Sequence, residues 1–105
     1  MTSQSTPIIN HYSALITIDN LDNLEKCINT FINRLDLHVV KRVNHLFKPV
    51  GETIIYILSE SHLAIHTWPE KNMIHIDLVS CSGISKEKFD TSLDQSFNPK
   101  KCTRI

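Results

Sequence analysis

The residues that could do chemistry are concentrated in the middle third of the chain, between positions 45 and 81. They are hydroxyl, imidazole, carboxylate and thiol side chains at short intervals: Ser59, Glu60, Ser61, His62, His66, Glu70, His75, Asp77 and Cys81. Proteins use such groups for nucleophilic attack and proton transfer. The alternative interpretation is that half-buried strands alternate polar and apolar residues, so that these side chains only face water. For His38 and His75 we favour that alternative, because nothing nearby in sequence converges on them.

Two familiar kinds of site are disfavoured by the spacing. His62 and His66 are four residues apart, which on a strand is ~13 Å and too far for two ligands of one ion. The β-rich context makes a helix, which would bring them together, a poor alternative, so we predict no metal site. A serine hydrolase triad is disfavoured because the G-x-S-x-G turn is absent and the chain holds only 2 glycines.

The elements that must position these residues are mostly short strands. A strand is predicted over residues 14–18, and from Asp19 the apolar residues change to helical spacing up to Leu35, with Asp19 or Asn20 as the cap. Further strands are predicted around residues 39–43 and over residues 53–58, 61–67 and 73–79, with turns at 48–51 and 70–72.

The two ends of the chain are simpler. Residues 1–9 are predicted to form a loose arm. Ser85 is predicted to cap a second helix that stops before Asn98-Pro99, and residues 100–105 are left as a tail or edge strand. The order of elements predicts an α+β fold, an antiparallel sheet with helices on one face. The other face is then free for a second subunit to cover.

Composition limits the classes of function. A chain of 105 residues with 41% hydrophobic residues predicts one domain, residues 1–105, with a thin core that oligomerisation would extend. Eleven basic and 11 acidic residues cancel, so we expect no nucleic-acid ligand. No signal-like start and no apolar run of ~20 residues is present, so we expect no membrane association and a cytoplasmic location. Three widely spaced cysteines disfavour a disulfide framework and a zinc knuckle.

Three motifs in the central region have a more specific form. Residues 45–51 read H-x-F-x-P-x-G, residues 60–70 read E-S-H-x-x-I-H-T-W-P-E, and residues 77–81 read D-x-x-x-C. This region resembles the small prokaryotic-type S-adenosylmethionine decarboxylase proenzymes. The resemblance is looser, but in register, over the first strand and helix.

The resemblance implies a cofactor made from the chain itself. In that family the hydroxyl matching Ser61 attacks the carbonyl of Glu60 and an ester replaces the amide. Elimination then splits the chain into a β chain, residues 1–60, and an α chain, residues 61–105, headed by a pyruvoyl group from Ser61. This ketone accepts the electrons released when carbon dioxide leaves S-adenosylmethionine, and the product supplies aminopropyl groups for spermidine synthesis.

The resemblance also implies roles for individual residues. His66 matches the histidine that removes the α-proton during elimination, and Thr53 matches a hydroxyl that assists the acyl shift. Cys81 matches the thiol that returns a proton to the decarboxylated carbon. Phe47 matches an aromatic residue that stacks on adenine, and Glu70 matches the carboxylate that binds both ribose hydroxyls.

The family's assembly is implied in the same way. Two protomers would pair into an αββα sandwich, a homodimer in which each active site takes residues from both chains. One chain would supply Ser61 and Cys81, and the other would supply Phe47, Thr53, His66 and Glu70.

Some positions depart from the family pattern and leave alternatives open. Lys71-Asn72 follow Glu70 where the family usually has an aromatic residue and a glycine, and Ser82 replaces a common glycine. One alternative is a pyruvoyl-dependent arginine or ornithine decarboxylase, and another is a non-catalytic homologue that acts by heterodimerisation. The presence of both Phe47 and Glu70 favours the nucleoside substrate.

Overall fold

Six strands form one antiparallel sheet in a computed structural model that describes residues 6–105. The elements follow in the order β1 (Asn10–Thr17), α1 (Leu24–Arg34), β2 (Val39–Leu46), β3 (Glu52–Leu58), β4 (Ser61–Trp68), β5 (Met73–Ser80), α2 (Lys86–Phe97) and β6 (Lys101–Arg104). The strand order across the sheet is β2-β3-β4-β5-β1-β6, and a single 3-10 turn, Pro69–Lys71, joins β4 to β5. The predicted α+β class is confirmed.

The core lies between the two helices and one face of the sheet. Alternate strand residues such as Ile16, Ile65 and Ile76 are fully buried there, as expected for strands with one face on a core. Phe31 of α1 meets Phe89 of α2 edge to face, with ring centroids 5.7 Å apart. The helices therefore cover one face, as predicted.

The opposite face of the sheet stays partly open to solvent. Val43 on β2 is 47% exposed and Ile57 on β3 is 42% exposed, although both are apolar and lie within strands. We call this surface the open face. It carries the polar and histidine residues of β1, β4 and β5 that are considered below.

The first helix begins later than predicted. Asn20 does cap a turn, because its Oδ1 accepts a hydrogen bond of 3.0 Å from the Asp22 amide, but the helix itself starts only at Leu24. Local side-chain bonding of this kind competes with the helix for the same backbone groups. The second helix is confirmed, since Ser85 Oγ accepts from the Lys88 amide at 3.1 Å and Asn98 ends the helix with φ 47°. Neither helix described is long and apolar enough to span a membrane.

The ends of the chain are described in part. Residues 6–9 of the predicted arm have no regular structure, and residues 1–5 lie outside the described part of the chain. At the other end, β6 pairs with β1, so the prediction of an edge strand is confirmed.

Two hairpins of the sheet position the central motifs. Between β2 and β3, the Phe47 amide donates to the Gly51 carbonyl at 2.8 Å, and Gly51 has φ +106°, a conformation that favours glycine. Between β3 and β4, only Ser59 and Glu60 separate the paired residues Leu58 and Ser61. The predicted cleavage position therefore lies at a two-residue hairpin turn.

Candidate active site

The first cluster of predicted site residues lies where β4 begins. Ser61 pairs with Ser80, the last residue of β5, and Cys81 follows directly after that strand. This register brings Ser61 Oγ to 3.5 Å from Cys81 Sγ, although the two residues are 20 positions apart in sequence. Ser61 is half-buried and Cys81 is exposed. A hydroxyl and a thiol are therefore adjacent beside a turn.

The loops on either side of this pair are held by backbone and serine contacts. The Ser59 amide donates to the His38 carbonyl at 3.0 Å, which ties the hairpin turn to the start of β2. Ser80 Oγ, which is buried, accepts from the Ser82 amide at 3.1 Å and lies 2.6 Å from Ser82 Oγ. Ser82, which stands where the family commonly has glycine, thus holds the segment that carries Cys81 against the end of β5.

The second cluster lines an open cleft at the other end of β4. The cleft measures about 420 Å³ and lies between the β2–β3 hairpin and the end of β4 with the 3-10 turn that follows it. It is lined by Phe47, Val50, Gly51, Glu52, Thr53, His66, Thr67, Trp68 and Glu70. Phe47 is 50% exposed, and its ring lies edge to face with that of His45 at 4.6 Å. Glu70 is exposed on the 3-10 turn. An aromatic face and a carboxylate are therefore both available to a ligand in this cleft.

Thr53 and His66 form a pair within the cleft. They are direct neighbours across β3 and β4, and Thr53 Oγ1 lies 2.9 Å from His66 Nδ1. Burial lowers the pKa of His66, the proximity of His75 lowers it further, and Asp77 acts in the opposite direction. His66 is therefore mostly neutral at neutral pH and able to accept a proton.

His75 lies on the open face, but it does not merely face water as we inferred from the sequence. It is half-buried opposite His66, with the two rings 5.7 Å apart and 24° from parallel. Its Nε2 also lies 2.6 Å from Ser13 Oγ on β1. The strand itself was predicted with the observed start, and what the sequence did not show is that β4 and β1 bring His66 and Ser13 next to His75.

Trp68 was also missed as a site residue. It is 40% exposed at the end of β4 and forms part of the cleft wall beside Glu70. The sequence analysis used Trp68-Pro69 only as the end of a strand. The signal that could have indicated it is its place in the W-P-E motif next to Glu70.

The two clusters are well separated within one chain. Ser61 and His66 are five residues apart on β4, which corresponds to roughly 16 Å along a strand. His62 and His66 both lie on β4, so the strand spacing that separates them is the one predicted from the sequence. Among residues 6–105, no group of three or more histidine, cysteine, aspartate or glutamate side chains is arranged to hold a metal ion.

Fold and side chains together define a class of protein. It is a small α+β protein in which a serine beside a thiol and an imidazole beside a hydroxyl are held at the two ends of one antiparallel strand. The family to which it belongs follows from its sequence. The chain is a member of the S-adenosylmethionine decarboxylase family, because the model of that family matches residues 8–104.

Curated relatives agree with this membership. The chain is 32% identical over 88 residues to an S-adenosylmethionine decarboxylase proenzyme of Sulfurihydrogenibium sp., a match that covers 84% of this chain and 65% of the relative. Proenzymes of the same name from Clostridium botulinum and Archaeoglobus fulgidus are 40% and 36% identical, over 61% and 66% of this chain and 58% and 62% of the relatives. The chain therefore spans about three fifths of the length of the curated relatives that it matches.

A solved structure has the same fold. The crystal structure of an adenosylmethionine decarboxylase from Aquifex aeolicus superimposes with a TM-score of 0.75. The match covers 96% of this chain and 89% of that one at 23% sequence identity. It supports the fold of the chain.

Proposed function

We propose that this protein cleaves itself between Glu60 and Ser61 and then decarboxylates S-adenosylmethionine as a cytoplasmic homodimer. The observation that carries the proposal is the contact between Ser61 Oγ and Cys81 Sγ at 3.5 Å beside a two-residue turn. It puts the residue that would become the pyruvoyl group next to the residue that would deliver a proton. The name of the family and of the curated relatives supports the substrate.

Self-cleavage uses groups that the chain already contains. Ser61 Oγ would attack the carbonyl carbon of Glu60, the carbon–nitrogen bond would break, and the serine nitrogen would leave as a free amine. His66 would then take the α-proton of Ser61, and the electron pair left on that carbon would form a double bond to the β-carbon. The bond from the β-carbon to oxygen would break at the same time and release the Glu60 carboxylate. The resulting enamine would gain a proton at the β-carbon and lose one from nitrogen to become an imine. Water would then add to the imine carbon, and ammonia would leave to give the ketone.

The surroundings of Ser61 fit such a group. Ser61 heads β4, so cleavage before it removes only the turn connection between β3 and β4 and leaves the ladder from Ser61 onwards intact. The half-buried position next to Ser80 leaves one side open for a substrate amine. When present, the pyruvoyl group supplies an electron sink for decarboxylation.

The remaining side chains would bind the substrate and manage protons. Cys81 Sγ lies 3.5 Å from Ser61 Oγ, where a thiol could return a proton to the carbon that has lost carbon dioxide. Phe47 offers a stacking face for adenine, and Glu70 offers two oxygens to ribose hydroxyls. Free arginine or ornithine requires neither of these features.

The distance between the two clusters supports a shared site. Ser61 and Cys81 lie roughly 16 Å along β4 from His66, so one chain could not apply all of them to one substrate. A two-fold axis that runs between two open faces, across the strands, places opposite strand ends over one another. Such a dimer would bring the Ser61 end of each chain over the cleft of its partner. It would also cover the exposed apolar residues Val43 and Ile57.

A substrate panel tests the proposed activity. We expect fully cleaved protein to release carbon dioxide from S-adenosylmethionine with a higher specificity constant than from arginine or ornithine. Cys81→Ser protein serves as the matched control, because a serine side chain has nearly the same shape as cysteine but is a far weaker acid. We expect this variant to be strongly impaired on every substrate. Higher activity on either free amino acid would refute the substrate, and no release from any of them would favour a non-catalytic homologue.

A further inference from the structure

A second histidine contacts the residue that we propose as the proton acceptor. His75 lies opposite His66 in the β4–β5 ladder, on the open face, with the two imidazoles nearly parallel and 5.7 Å apart. We propose that His75 is a positioning residue for His66: it stacks on the imidazole and holds it against Thr53 in the orientation needed to take a proton. This inference rests on the proposed self-cleavage.

Polar contacts limit the movement of both rings. On the far side of the pair, Ser13 Oγ lies 2.6 Å from His75 Nε2, and on the near side Thr53 Oγ1 lies 2.9 Å from His66 Nδ1. The series Ser13, His75, His66 and Thr53 thus crosses β1, β5, β4 and β3 on one face. His66 has a hydroxyl at one nitrogen and an aromatic ring on one side. Its other nitrogen is the one left to receive a proton.

The stack also affects the protonation of His66. A positive charge on His75 would disfavour a second positive charge on the adjacent ring, whereas Asp77 would favour it. Asp77 also contacts His11, with 2.6 Å between Asp77 Oδ1 and His11 Nε2. The other titratable residues that face this region line or border the cleft: His45 on β2, Glu52 on β3 and Glu70 on the 3-10 turn. His75 is the one of these residues whose ring stacks on His66.

Protonation of His66 can be measured without self-cleavage. In Ser61→Ala protein, which cannot form the ester, proton NMR titration reports the pKa of each histidine. We expect the pKa of His66 to rise in Ser61→Ala/His75→Phe protein, because phenylalanine keeps a stacked ring but removes the charge. Leu15→Ala is the matched control, since Leu15 is the direct neighbour of His75 on β1 and has no titratable group. An unchanged pKa in the phenylalanine variant would refute the electrostatic part of the inference.

The rate of self-cleavage tests the positioning. Newly synthesised protein is followed by mass over time between pH 5.5 and 8.5. We expect His75→Ala to slow cleavage on the order of tenfold at every pH, because the ring of His66 loses its support. His75→Phe should slow it only at the acidic end, where more of His66 is protonated.

The outcomes separate this inference from the proposed function. A wild-type rate in His75→Ala, or an equal loss in Leu15→Ala, would overturn the positioning role while leaving self-cleavage in place. If wild-type protein does not cleave at all, the proposed function fails. The NMR titration and the nuclear Overhauser contact between His66 and Thr53 would then still decide whether His75 orients His66.

Discussion

A histidine can remove a proton from carbon only in its uncharged form, and the position of His66 favours that form. Partial burial on β4 lowers the pKa of its imidazole, and a neighbouring histidine lowers it further. Its hydrogen-bonding partner is the hydroxyl of Thr53 and not a carboxylate, so that partner carries no negative charge to stabilise a protonated ring. The same strand carries Ser61, and in the proposed mechanism the thiol of Cys81 beside it is used only after cleavage has converted that serine into the pyruvoyl group.

The substrate assignment depends on two residues and is testable at Glu70. Glu70→Gln keeps the shape of the side chain but removes the charge that would bind both ribose hydroxyls. We expect kcat/KM for S-adenosylmethionine to fall by the equivalent of about 1 to 3 kcal/mol. Steady-state kinetics on fully cleaved protein measures this loss.

The matched control for this variant is Lys71→Gln, which changes the adjacent exposed residue on the same turn. Its kinetics should stay close to wild type, and self-cleavage should be normal in both variants. Equal kinetics for Glu70→Gln and wild type would contradict ribose binding by Glu70.

The elements of the sheet explain which parts of the site the sequence could predict. The β-rich composition indicated β3, β4 and β5, so the strands that carry Thr53 and His66, and the strand that ends just before Cys81, were predictable. The sequence predictions that were wrong concern two places in the chain. The predicted start of α1 was wrong because Asn20 bonds locally to the Asp22 amide. His75 was misjudged because its contacts with His66 and Ser13 come from other strands.

Contacts between side chains on different strands could not be predicted from the sequence, for a different reason. The contact of Ser61 with Cys81 depends on the pairing of Ser61 with Ser80, which no local pattern specifies. The motif resemblance supplied these residues without their geometry. Register in an antiparallel sheet is determined by turn length and by which face is buried, and both are properties of the folded chain.

The hairpin between β2 and β3 gives a prediction at this scale. Gly51 has φ +106°, and an added Cβ would lie 3.4 Å from the Thr67 carbonyl oxygen. We expect Gly51→Ala to lower the free energy of unfolding by about 1 to 2 kcal/mol, because a side chain strains this backbone conformation. Denaturant unfolding in the uncleaved Ser61→Ala background measures the change.

A neighbouring substitution provides the comparison. Val50→Ala alters an exposed residue of the same hairpin and should change stability by less than about 0.5 kcal/mol. If Gly51→Ala is as stable as Val50→Ala, the turn does not need glycine. The position of Phe47, whose amide bonds to Gly51, would then have to be explained by other contacts.

For the whole molecule, the arrangement of the sheet bears on how many chains form a site. The helices cover one face, and the open face carries exposed Val43 and Ile57 as well as the histidine pair. A domain of about 100 residues buries a smaller fraction of its surface than a larger domain does, so a second copy on this face would add to a thin core. It would also remove the 16 Å gap that separates the two clusters within one chain, an estimate from strand geometry of roughly 3.3 Å per residue.

Mixed dimers test this shared site. Cys81→Ala and Glu70→Ala chains, co-expressed with different affinity tags, can be isolated as heterodimers after both have cleaved. One site of each heterodimer would then be complete and the other would lack both groups, so about half of the wild-type activity is expected. Each variant purified alone is the control. Heterodimers no more active than the two homodimers would show that each site lies within one chain.

The central claim is that Ser61 becomes the reactive group through self-cleavage, and the intact mass of purified protein tests it most directly. We expect two chains that end and begin between Glu60 and Ser61. The second chain should carry a terminal ketone that reacts with hydroxylamine or borohydride, and Ser61→Ala protein should remain a single chain. A wild-type chain of 105 residues that stays intact after prolonged incubation, with no reactive ketone, would contradict the account.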